Sequence, residues 1–487
     1  MASPLSLKTG RISPPRFAPA LATFAMLLAG ACSSSDGPGP GVDTDPGTGG
    51  RKATGGRSGS PSGQGGAAGE TDPTPVTPDA TAPVATDAAV ASDAVAPIPP
   101  VAGDAASADT APPPVGMPGV DAGPSAPPPV PNPAAGKMMV DGVATWRGDA
   151  TGVYTIIHDD VCDASVSGVF THADPELTKR GLHAGFGAIV QQCVDRNQWA
   201  NMKTLLAHGH DVFSHSWSHP CLGSAAQCAG NGTPSSDYNT QITKANQTLE
   251  DMLKIKVGYF IFPYDVCGAG GVARVKELGY LGARCGGEAH GVNDANFTDP
   301  FANKFDIWGP SYSIYGKAGA CAGRGGGEEP TAASAACRLY VLNHYVDEAI
   351  RLKGWANREL HGFPGDPGAW QAMPLADYQA HLDYVAEKAK SGVLWVEGPS
   401  PVIRYRFARD ACSKPSIDGG VLKFGPVSED CKKFATTLTY LVSTSDGSDP
   451  ASLHAQQGGA SLPSRKLGPG KFAIDADPTK GDAALVP

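Results

Sequence analysis

Short apolar segments of β type alternate with segments of helical periodicity from Gly152 to Val396. Strands separated by helices are joined by crossover connections, which make neighbouring strands parallel. The region therefore predicts an α/β fold with a parallel sheet. The predicted strands are Gly152–Asp160, the end of Lys179–Gly187, Asp211–His215, Val257–Pro263, Tyr280–Arg284 and Val393–Val396, and the predicted helices are Trp199–His208, Asn239–Lys256, Val272–Leu278, Leu339–Leu352 and Leu375–Lys390.

Side chains that bind metals follow two of these strands. Asp159 and Asp160 end one strand, and His215 ends another, with His219 four residues later. Parallel α/β folds place ligands at the carboxyl ends of their strands, so we expect these groups to meet there. Two imidazoles and one carboxylate leave a coordination position open for water, as a catalytic zinc-type site requires. The pattern predicts a divalent metal, zinc first, although cobalt and manganese also suit this donor set.

The N-terminal residues 1–31 have the pattern of a secretory signal. Basic residues precede an apolar run, Leu21–Ala31, that is too short to span a bilayer. The small residues before Cys32 resemble a bacterial lipobox, although Leu28 stands one place further from the cysteine than is usual. We therefore expect export to the cell envelope and membrane anchoring through a lipid on Cys32, with plain secretion as the alternative.

Residues 32–137 form a low-complexity segment rich in Pro, Ala, Gly, Asp, Ser and Thr. From residue 33 to 137 it contains no aromatic residue and no leucine, so it lacks the apolar surface needed to offset chain entropy. We predict a disordered tether without a specific partner.

Two folded parts are expected after the tether, a domain at 138–410 and a small β-rich module at 411–487. Short strands between turns indicate the module, which we expect to be all-β. These strands are Phe434–Ser443, Ala460–Leu462 and Phe472–Ile474.

Ten cysteines remain when Cys32 is set aside. An even number in an exported chain predicts disulfides rather than free thiols. A second metal site is the alternative, but the sequence contains no Cys-x-x-Cys pair. Sequence alone does not fix the pairing. The local candidates are Cys221–Cys228, Cys267–Cys285, Cys321–Cys337 and Cys412–Cys431, which leave Cys162–Cys193.

The formal net charge of −10 argues against a nucleic-acid partner. Phosphate binding requires clustered positive charge, and this chain is mildly acidic. We expect a monomer that acts on its substrate without nucleic acid.

The motifs together resemble the polysaccharide deacetylase family, the NodB-like carbohydrate esterases of family 4. The resemblance covers roughly residues 150 to 405, and its motifs occur in the family's order, each at a strand end. It implies a distorted (β/α)7-type barrel. The matching segments are Asp159-Asp160, Gly209-His210-Asp211-Val212 followed by His215-Ser216-Trp217-Ser218-His219, Phe262-Pro263-Tyr264, and Leu360-His361-Gly362.

The resemblance also implies a role for each site residue. The metal ligands would be Asp160, His215 and His219, the general base Asp159 and the general acid His361. Substrate or oxyanion contacts would come from the backbone N–H of Tyr264 and from Leu360 and Trp308, with Trp308 as a groove wall in the segment Asp306-Ile307-Trp308. Asp306 would orient the general acid.

One departure from the family concerns the cation that pairs with the general base. The family's third motif usually has an arginine shortly before its proline, but Phe260, Ile261 and Phe262 stand there. Either another cation substitutes, Arg284 on the next predicted strand being the nearest candidate, or the base is tuned differently.

The expected function is metal-dependent removal of acetyl groups from a carbohydrate polymer. An N-acetylated glycan of peptidoglycan or chitin type is the first candidate substrate, and O-acetylated xylan is the second. A glycan-binding surface lipoprotein with impaired catalysis is the alternative from another class, because of the missing arginine. The C-terminal module is a further candidate for glycan binding.

Overall fold

A computed structural model describes residues 137–286, 290–322 and 330–486 of the chain. The predicted signal, the predicted lipidation site Cys32 and all but the last residue of the predicted tether lie outside these described residues. Strand β1, Met138–Val143, comes first in the described chain. Its partner lies near the C-terminus, as set out below.

The central sheet is parallel and follows the order β6-β5-β4-β3-β2-β8-β7, while β9 pairs with the first residues of β2. All the pairings between its strands run parallel, as crossover helices require. The predicted α/β fold of distorted barrel type is confirmed. The strands are β2 Gly152–Val161, β3 Gly185–Ala188, β4 Asp211–Ser214, β5 Tyr259–Ile261, β6 Gly282–Arg284, β7 Asp306–Ile307, β8 Trp355–Leu360 and β9 Leu394–Val396.

Helices cover this sheet and bury one apolar face each. In α7 the buried residues Tyr378, His381, Leu382 and Val385 recur at helical spacing, which is the pattern that predicted this helix. The helices are α1 Asp174–Lys179, α2 Val190–Asp195, α3 Trp199–Ala207, α4 Ala245–Leu253, α5 Ala269–Glu277, α6 Ala335–Leu352, α7 Leu375–Lys390, α8 Pro399–Ala411 and α9 Glu429–Lys433. Among these described helices, none is both long and apolar enough to cross a membrane.

The C-terminal segment adds two antiparallel sheets. One has the order β1-β12-β16-β15 and the other the order β10-β11-β17-β13-β14. The expected β-rich character is confirmed, and α9 lies among the strands. The additional strands are β10 Ser416–Asp418, β11 Val421–Lys423, β12 Leu438–Thr444, β13 His454–Gln457, β14 Ala460–Leu462, β15 Ser464–Gly468, β16 Lys471–Ala476 and β17 Ala483–Val486.

Strand β1 belongs to the first of these sheets rather than to the parallel sheet. It pairs antiparallel with β12, so that Met138 faces Thr444 and Val143 faces Tyr440. The alternation of buried and exposed residues in β1 suits an antiparallel sheet with one solvated face. The sequence pattern predicts this segment at the start of the 138–410 domain, because a pairing partner about 300 residues away leaves no local signal.

Five disulfides occur in the described residues, and they are the four local candidate pairs and the remaining pair, Cys162–Cys193, that the sequence suggested. Cys162–Cys193 lies next to the end of β2, and Cys412–Cys431 joins the end of α8 to α9. The pairs are Cys162–Cys193, Cys221–Cys228, Cys267–Cys285, Cys321–Cys337 and Cys412–Cys431.

Candidate active site

Three predicted metal ligands converge at the carboxyl ends of β2 and β4. Asp160 Oδ1 lies 3.4 Å from His215 Nε2 and 3.3 Å from His219 Nε2. The two Nε2 atoms are 3.0 Å apart. Ligand atoms about 2.1 Å from one tetrahedral ion are themselves about 3.4 Å apart. The spacing of the three atoms therefore fits a small divalent cation.

The hydrogen bonds around these side chains also favour a cation. His215 Nδ1 donates to the Ile261 carbonyl oxygen over 3.0 Å, which leaves the lone pair of Nε2 directed at the other ligands. Asp160 Oδ1 is buried and has no hydrogen-bond partner among the described residues. A buried carboxylate oxygen without a donor is costly unless a cation satisfies it. The donor set thus fits a metal.

The pKa of His219 is consistent with this arrangement. Burial, together with the nearby His215, lowers the pKa of His219 to about 4. Burial acts to lower the pKa of His215 too, but the Asp160 and Asp159 carboxylates outweigh it and raise that pKa above its ordinary value. At neutral pH His219 therefore offers a lone pair, as a metal ligand must.

A bend at the end of β2 brings both aspartates to one cleft. Successive strand residues normally point to opposite faces of a sheet. Here Asp160 has a φ of +60°, and the register between β2 and β3 shifts between His158 and Val161. This bulge turns Asp160 toward the imidazoles while Asp159 also lines the cleft.

Arg284 on β6 is the cation that pairs with the expected base. Its Nη2 contacts Asp159 Oδ2, and its Nε donates to Asp265 Oδ1 over 2.6 Å. The same Nη2 lies 3.1 Å from Glu359 Oε2. All four groups are buried. The sequence left two alternatives open for this pairing. In the structure, Arg284 pairs with Asp159 in place of the motif arginine.

His361 follows β8 and faces the predicted metal ligands. Its Nε2 lies 3.9 Å from Asp160 Oδ2 and 3.9 Å from Glu359 Oε1. Burial lowers the pKa of His361, and the Asp160 and Asp159 carboxylates counteract that effect. Burial also raises the pKa of Glu359 well above its ordinary value, against the influence of Arg284. A candidate base and a candidate acid thus lie in the same cleft as the ligand set.

The cleft has a volume of about 500 Å³ and aromatic walls. Tyr264 is 42% exposed and its ring lies 4.7 Å from that of His219. On the side of the acid, the Trp370 ring lies 5.0 Å from His361 and 5.1 Å from Tyr312. Trp370 and Tyr312 are each 41% exposed, so both rings have free surface for a ligand.

Three expected contributions to the site are wrong. Trp308 is fully buried, and its indole N–H donates to the Gln371 carbonyl oxygen over 2.6 Å, so it is not a groove wall. Asp306 is fully buried and accepts from Arg358 Nη1 over 2.7 Å instead of orienting His361. Leu360 is 1% exposed and does not line the cleft.

The strand pairing explains these differences. In β8 alternate residues share a face, so Glu359 and His361 line the cleft while Leu360 between them points into the core. Asp306 is the register partner of Arg358, the residue that its side chain pairs with. Glu359 and Tyr312 were missed as site residues. For Glu359 the signal was available, because it stands two residues before His361 on a strand.

The curled parallel sheet, with the predicted metal ligands at the carboxyl ends of its strands, fits the NodB-like (β/α) barrel type of fold. Residues 151–283 match the sequence model of the family described as polysaccharide deacetylase. The match extends from β2 to β6 and includes Asp159 and the three ligand residues, whereas His361 lies beyond it. The resemblance drawn from the motifs is therefore confirmed.

Solved structures of three similar proteins have the following relation to this chain. A putative polysaccharide deacetylase from Mycobacterium smegmatis is 13% identical, with 56% of this chain and 95% of that chain covered and a TM-score of 0.39. A family 4 acetyl xylan esterase from Clostridium thermocellum, in complex with cobalt, is 13% identical. The match covers 51% of this chain and 89% of that chain, with a TM-score of 0.32. A family 4 carbohydrate esterase from Streptomyces lividans, in complex with acetate, is 14% identical. The match covers 51% of this chain and 92% of that chain, with a TM-score of 0.31. No curated protein matches the chain.

Proposed function

We propose that the chain is a metal-dependent hydrolase that removes acetyl groups from a glycan. The observation that carries this proposal is the convergence of a ligand triangle with a carboxylate and an imidazole in one cleft. Asp160, His215 and His219 would hold the cation, and Asp159 and His361 line the same cleft, where an acyl group would bind.

The residues of this chain then divide the reaction between them. A divalent cation at the three ligands would polarise the acyl carbonyl and make water more acidic. Asp159, held by Arg284, accepts a proton from the water that attacks the carbonyl carbon. The backbone N–H of Tyr264 would donate to the oxyanion. His361 protonates the leaving nitrogen or oxygen as its bond to the acyl carbon breaks, which releases acetate and an amine or an alcohol.

A carbohydrate substrate is favoured by the walls of the cleft. Sugar rings present apolar faces that pack on aromatic side chains, and Tyr264, Tyr312 and Trp370 offer such surfaces around the candidate catalytic groups. We propose an N-acetylated glycan of peptidoglycan or chitin type as the first substrate to test and O-acetylated xylan as the second. The missing motif arginine no longer favours the alternative of a glycan-binding protein with impaired catalysis, because Arg284 pairs with Asp159 instead.

Export and anchoring belong to the same proposal. Five disulfides support an oxidising compartment outside the cytoplasm. We propose that Cys32 carries the lipid that holds the enzyme at the envelope. Replacing Cys32 with Ser should release the protein from the membrane fraction, and an unchanged distribution would contradict the anchor.

Acetate release is the measurement that tests the proposed function. The full chain, loaded with zinc, cobalt or manganese, is assayed on chitin oligomers, peptidoglycan and acetylated xylan. We expect release from at least one substrate, loss of release with a chelator and recovery when metal is returned. Release that persists after the metal has been removed, or no release from any substrate with bound metal, would refute the proposal.

Three variants assign the roles of the site residues. Asp159→Asn should lower the turnover rate by about 100-fold or more and leave the metal content unchanged. His215→Ala and His219→Ala should each lower metal affinity, because each removes one of three protein ligands. Full metal content in both histidine variants would exclude them as ligands.

A further inference from the structure

A second concave site lies at the amino end of β6, where the domain of the parallel sheet meets the C-terminal module. We call it the junction crevice, and its volume is about 360 Å³. None of its lining residues also lines the active-site cleft, to which Arg284 at the carboxyl end of β6 belongs. The two sites are therefore separate. The junction crevice is formed chiefly by Lys276, Tyr280, Phe301, Phe407, Lys433 and Phe434.

Three phenylalanine rings give the crevice its apolar faces. Phe301, Phe407 and Phe434 are each half-buried, so part of every side chain remains accessible. The rings of Phe407 and Phe434 stack, with their centroids 5.2 Å apart and their planes at 25°. The Cys412–Cys431 disulfide joins the end of α8 to α9 and holds these two rings together. A preformed aromatic wall suits a rigid ligand with an apolar face, such as a sugar ring, because little freedom is lost on binding.

Two lysines give the same crevice a positive charge. Lys276 Nζ lies 4.8 Å from the centre of the Phe301 ring, and Lys433 Nζ lies 5.2 Å from that of Phe434. In the part of the chain that the structure describes, neither ammonium forms an ion pair with a carboxylate. Two unpaired cations beside apolar ring faces favour a ligand that carries a carboxylate.

We propose that the junction crevice binds a carboxylate-bearing glycan, with a sugar ring against the phenylalanine faces and its carboxylate near Lys276 and Lys433. The choice of a glycan rests on the proposed function, whereas the binding itself does not require catalysis. Muramic acid in peptidoglycan and uronic acid in substituted xylan both supply this chemistry, and neutral chitin does not.

The position of the crevice relative to the cleft indicates what this binding does. β6 has three residues, so its two ends are about 10 Å apart. A polymer long enough to reach both sites is held at the crevice while the cleft removes its acetyl groups. Binding at two sites raises the affinity for a polymer above that for a short oligomer. The crevice thus favours acidic polymers as substrates of the proposed reaction.

Binding of trigalacturonic acid to the metal-loaded full chain tests the site by calorimetry. This trimer has sugar rings and carboxylates but no acetyl group, so the proposed reaction does not consume it. We expect it to bind about 10-fold more tightly than its methyl ester, which has the same rings without the charge. Equal affinity for the two, or no binding of the acid, would overturn the proposal.

Lys433→Met and Lys432→Met form a matched pair of variants. Lys432 is the neighbouring residue, but its ammonium pairs with Glu429 over 2.7 Å and it does not line the crevice. Each substitution removes one positive charge from α9. Lys433→Met should raise the Kd for trigalacturonic acid by about three- to fivefold, and the double variant with Lys276→Met by about 10-fold. Lys432→Met should change it less than about twofold. Equal effects of the matched pair, or none, would place the acid elsewhere, for example at the metal of the cleft.

The contribution of the rings is tested by Phe434→Leu, which removes an aromatic face and keeps an apolar side chain. The Kd for trigalacturonic acid should rise by about threefold or more. Unchanged affinity would contradict the placement of the sugar ring.

Further probes identify the source of the ligand. Muropeptides and glucuronic acid-substituted xylan oligomers are titrated into the same variants, and the one whose binding weakens in Lys433→Met names the glycan. Vesicles of phosphatidylglycerol are the alternative probe. Lysine-dependent binding of the vesicles without binding of any acidic glycan would overturn the proposal in favour of a lipid.

Acetate release separates this inference from the proposed function. The double lysine variant should raise KM on the acidic polymer and leave kcat unchanged, with neither value altered on chitin oligomers. Lower kcat on chitin oligomers would show that the lysines act on the cleft, and would contradict a separate site. Absence of acetate release in every protein would refute the proposed function and leave the calorimetric result standing.

Discussion

Arg284 is the residue whose removal should affect both stability and catalysis. It is 2% exposed and contacts three buried carboxyl groups, those of Asp159, Asp265 and Glu359. Without it, these groups lie close together in a medium of low dielectric with no cation between them. The pairing that the family makes from its third motif is thus made here from the next strand of the sheet.

We predict that Arg284→Met lowers the unfolding free energy by about 3–5 kcal/mol, because it leaves buried carboxylates unpaired. Turnover should fall by about 100-fold, and metal content should remain, since Arg284 contacts none of the three ligands in the described structure. Arg284→Lys keeps the charge, but a lysine ammonium cannot contact three carboxyl groups as the planar guanidinium does. Its losses of stability and of turnover should therefore be intermediate. Urea unfolding, metal analysis and acetate release measure these effects. Full activity in Arg284→Met would show that Asp159 does not need a cation.

Among single residues, the sequence could predict those that stand at strand ends in the order of the family's motifs. Asp159, Asp160, His215, His219 and His361 lie in the cleft because parallel strands bring their carboxyl ends together. The sequence could not predict that the side chain of Trp308 lies in the core and not in the cleft. Whether an aromatic residue after a two-residue strand faces a cleft or the core depends on neighbours such as Gln371, which lies 63 positions away in the chain.

Among the secondary-structure elements, the end of β2 depends on a disulfide. Cys162 lies two residues after Asp160 and is joined to Cys193 in α2 across 31 positions. The bond thus ties the bulge that turns Asp160 into the cleft to the helix packed behind it. Cys412–Cys431 closes 19 positions at the edge of the C-terminal module, away from the cleft residues.

We predict that the double variant Cys162→Ala/Cys193→Ala loses about 3–4 kcal/mol of stability and also binds metal more weakly. The double variant Cys412→Ala/Cys431→Ala is the control, with a loss of about 3 kcal/mol and unchanged metal affinity. Denaturant unfolding and a metal titration give the two quantities. Equal metal affinity in both variants would show that the bulge holds its shape without the bond.

A buried histidine connects α7 to β2 and makes their packing sensitive to acid. His381 Nε2 accepts from the Tyr154 hydroxyl over 2.9 Å, and Nδ1 donates to Asn343 Oδ1 over 2.8 Å. Burial, with a smaller effect from Arg358, lowers the pKa of His381 to about 3. In the unfolded chain the imidazole has a pKa near 6.5. Between these values the unfolded state binds the proton that the folded state excludes.

Stability should therefore be complete above about pH 6.5 and fall as the pH decreases toward about 3. At about pH 4.5 the contribution of His381 to this loss should be about 2–3 kcal/mol relative to pH 7. We predict that His381→Gln reduces the difference in unfolding free energy between the two pH values by that amount. His454→Gln, which changes an exposed histidine in β13, is the control and should not alter the difference. The same pH difference in both variants would contradict the assignment.

The elements differ in how far their sequence predicts them. Helix α7 was predicted with its observed bounds, because apolar residues recur through its whole length. Strand β7 has two residues and no periodic pattern, and the short helices α1 and α2 have six residues each. Such elements exist because the surrounding fold pairs or packs them, which a local pattern does not report.

For the molecule as a whole, the first described strand and the C-terminal module form one structure. β1 pairs with β12, and the Tyr405 hydroxyl of α8 donates to the Ala144 carbonyl oxygen over 3.0 Å. A chain that ends at Ala411 keeps β1 but loses its partner. An unpaired strand edge is a site for association with other chains.

We predict that a chain of residues 137–411 aggregates more than one of residues 146–411, which lacks β1 as well as its partner strand. A chain of residues 137–486, which keeps both β1 and β12, should be the most soluble of the three. Light scattering and the soluble fraction after expression measure the difference. Equal aggregation of the two shortened chains would show that the edge of β1 is not the cause.

The pairing of β1 with β12 also sets an order of events during biosynthesis. Residue 138 is made about 300 residues before residue 438. At translation rates of about 5–20 residues per second, that interval is about 15–60 s. During this time β1 has no native partner, so a ribosome-bound chain cannot complete this sheet. Its closure has to wait until β12 has been made, and a holding factor that shields the waiting strand would protect the nascent protein.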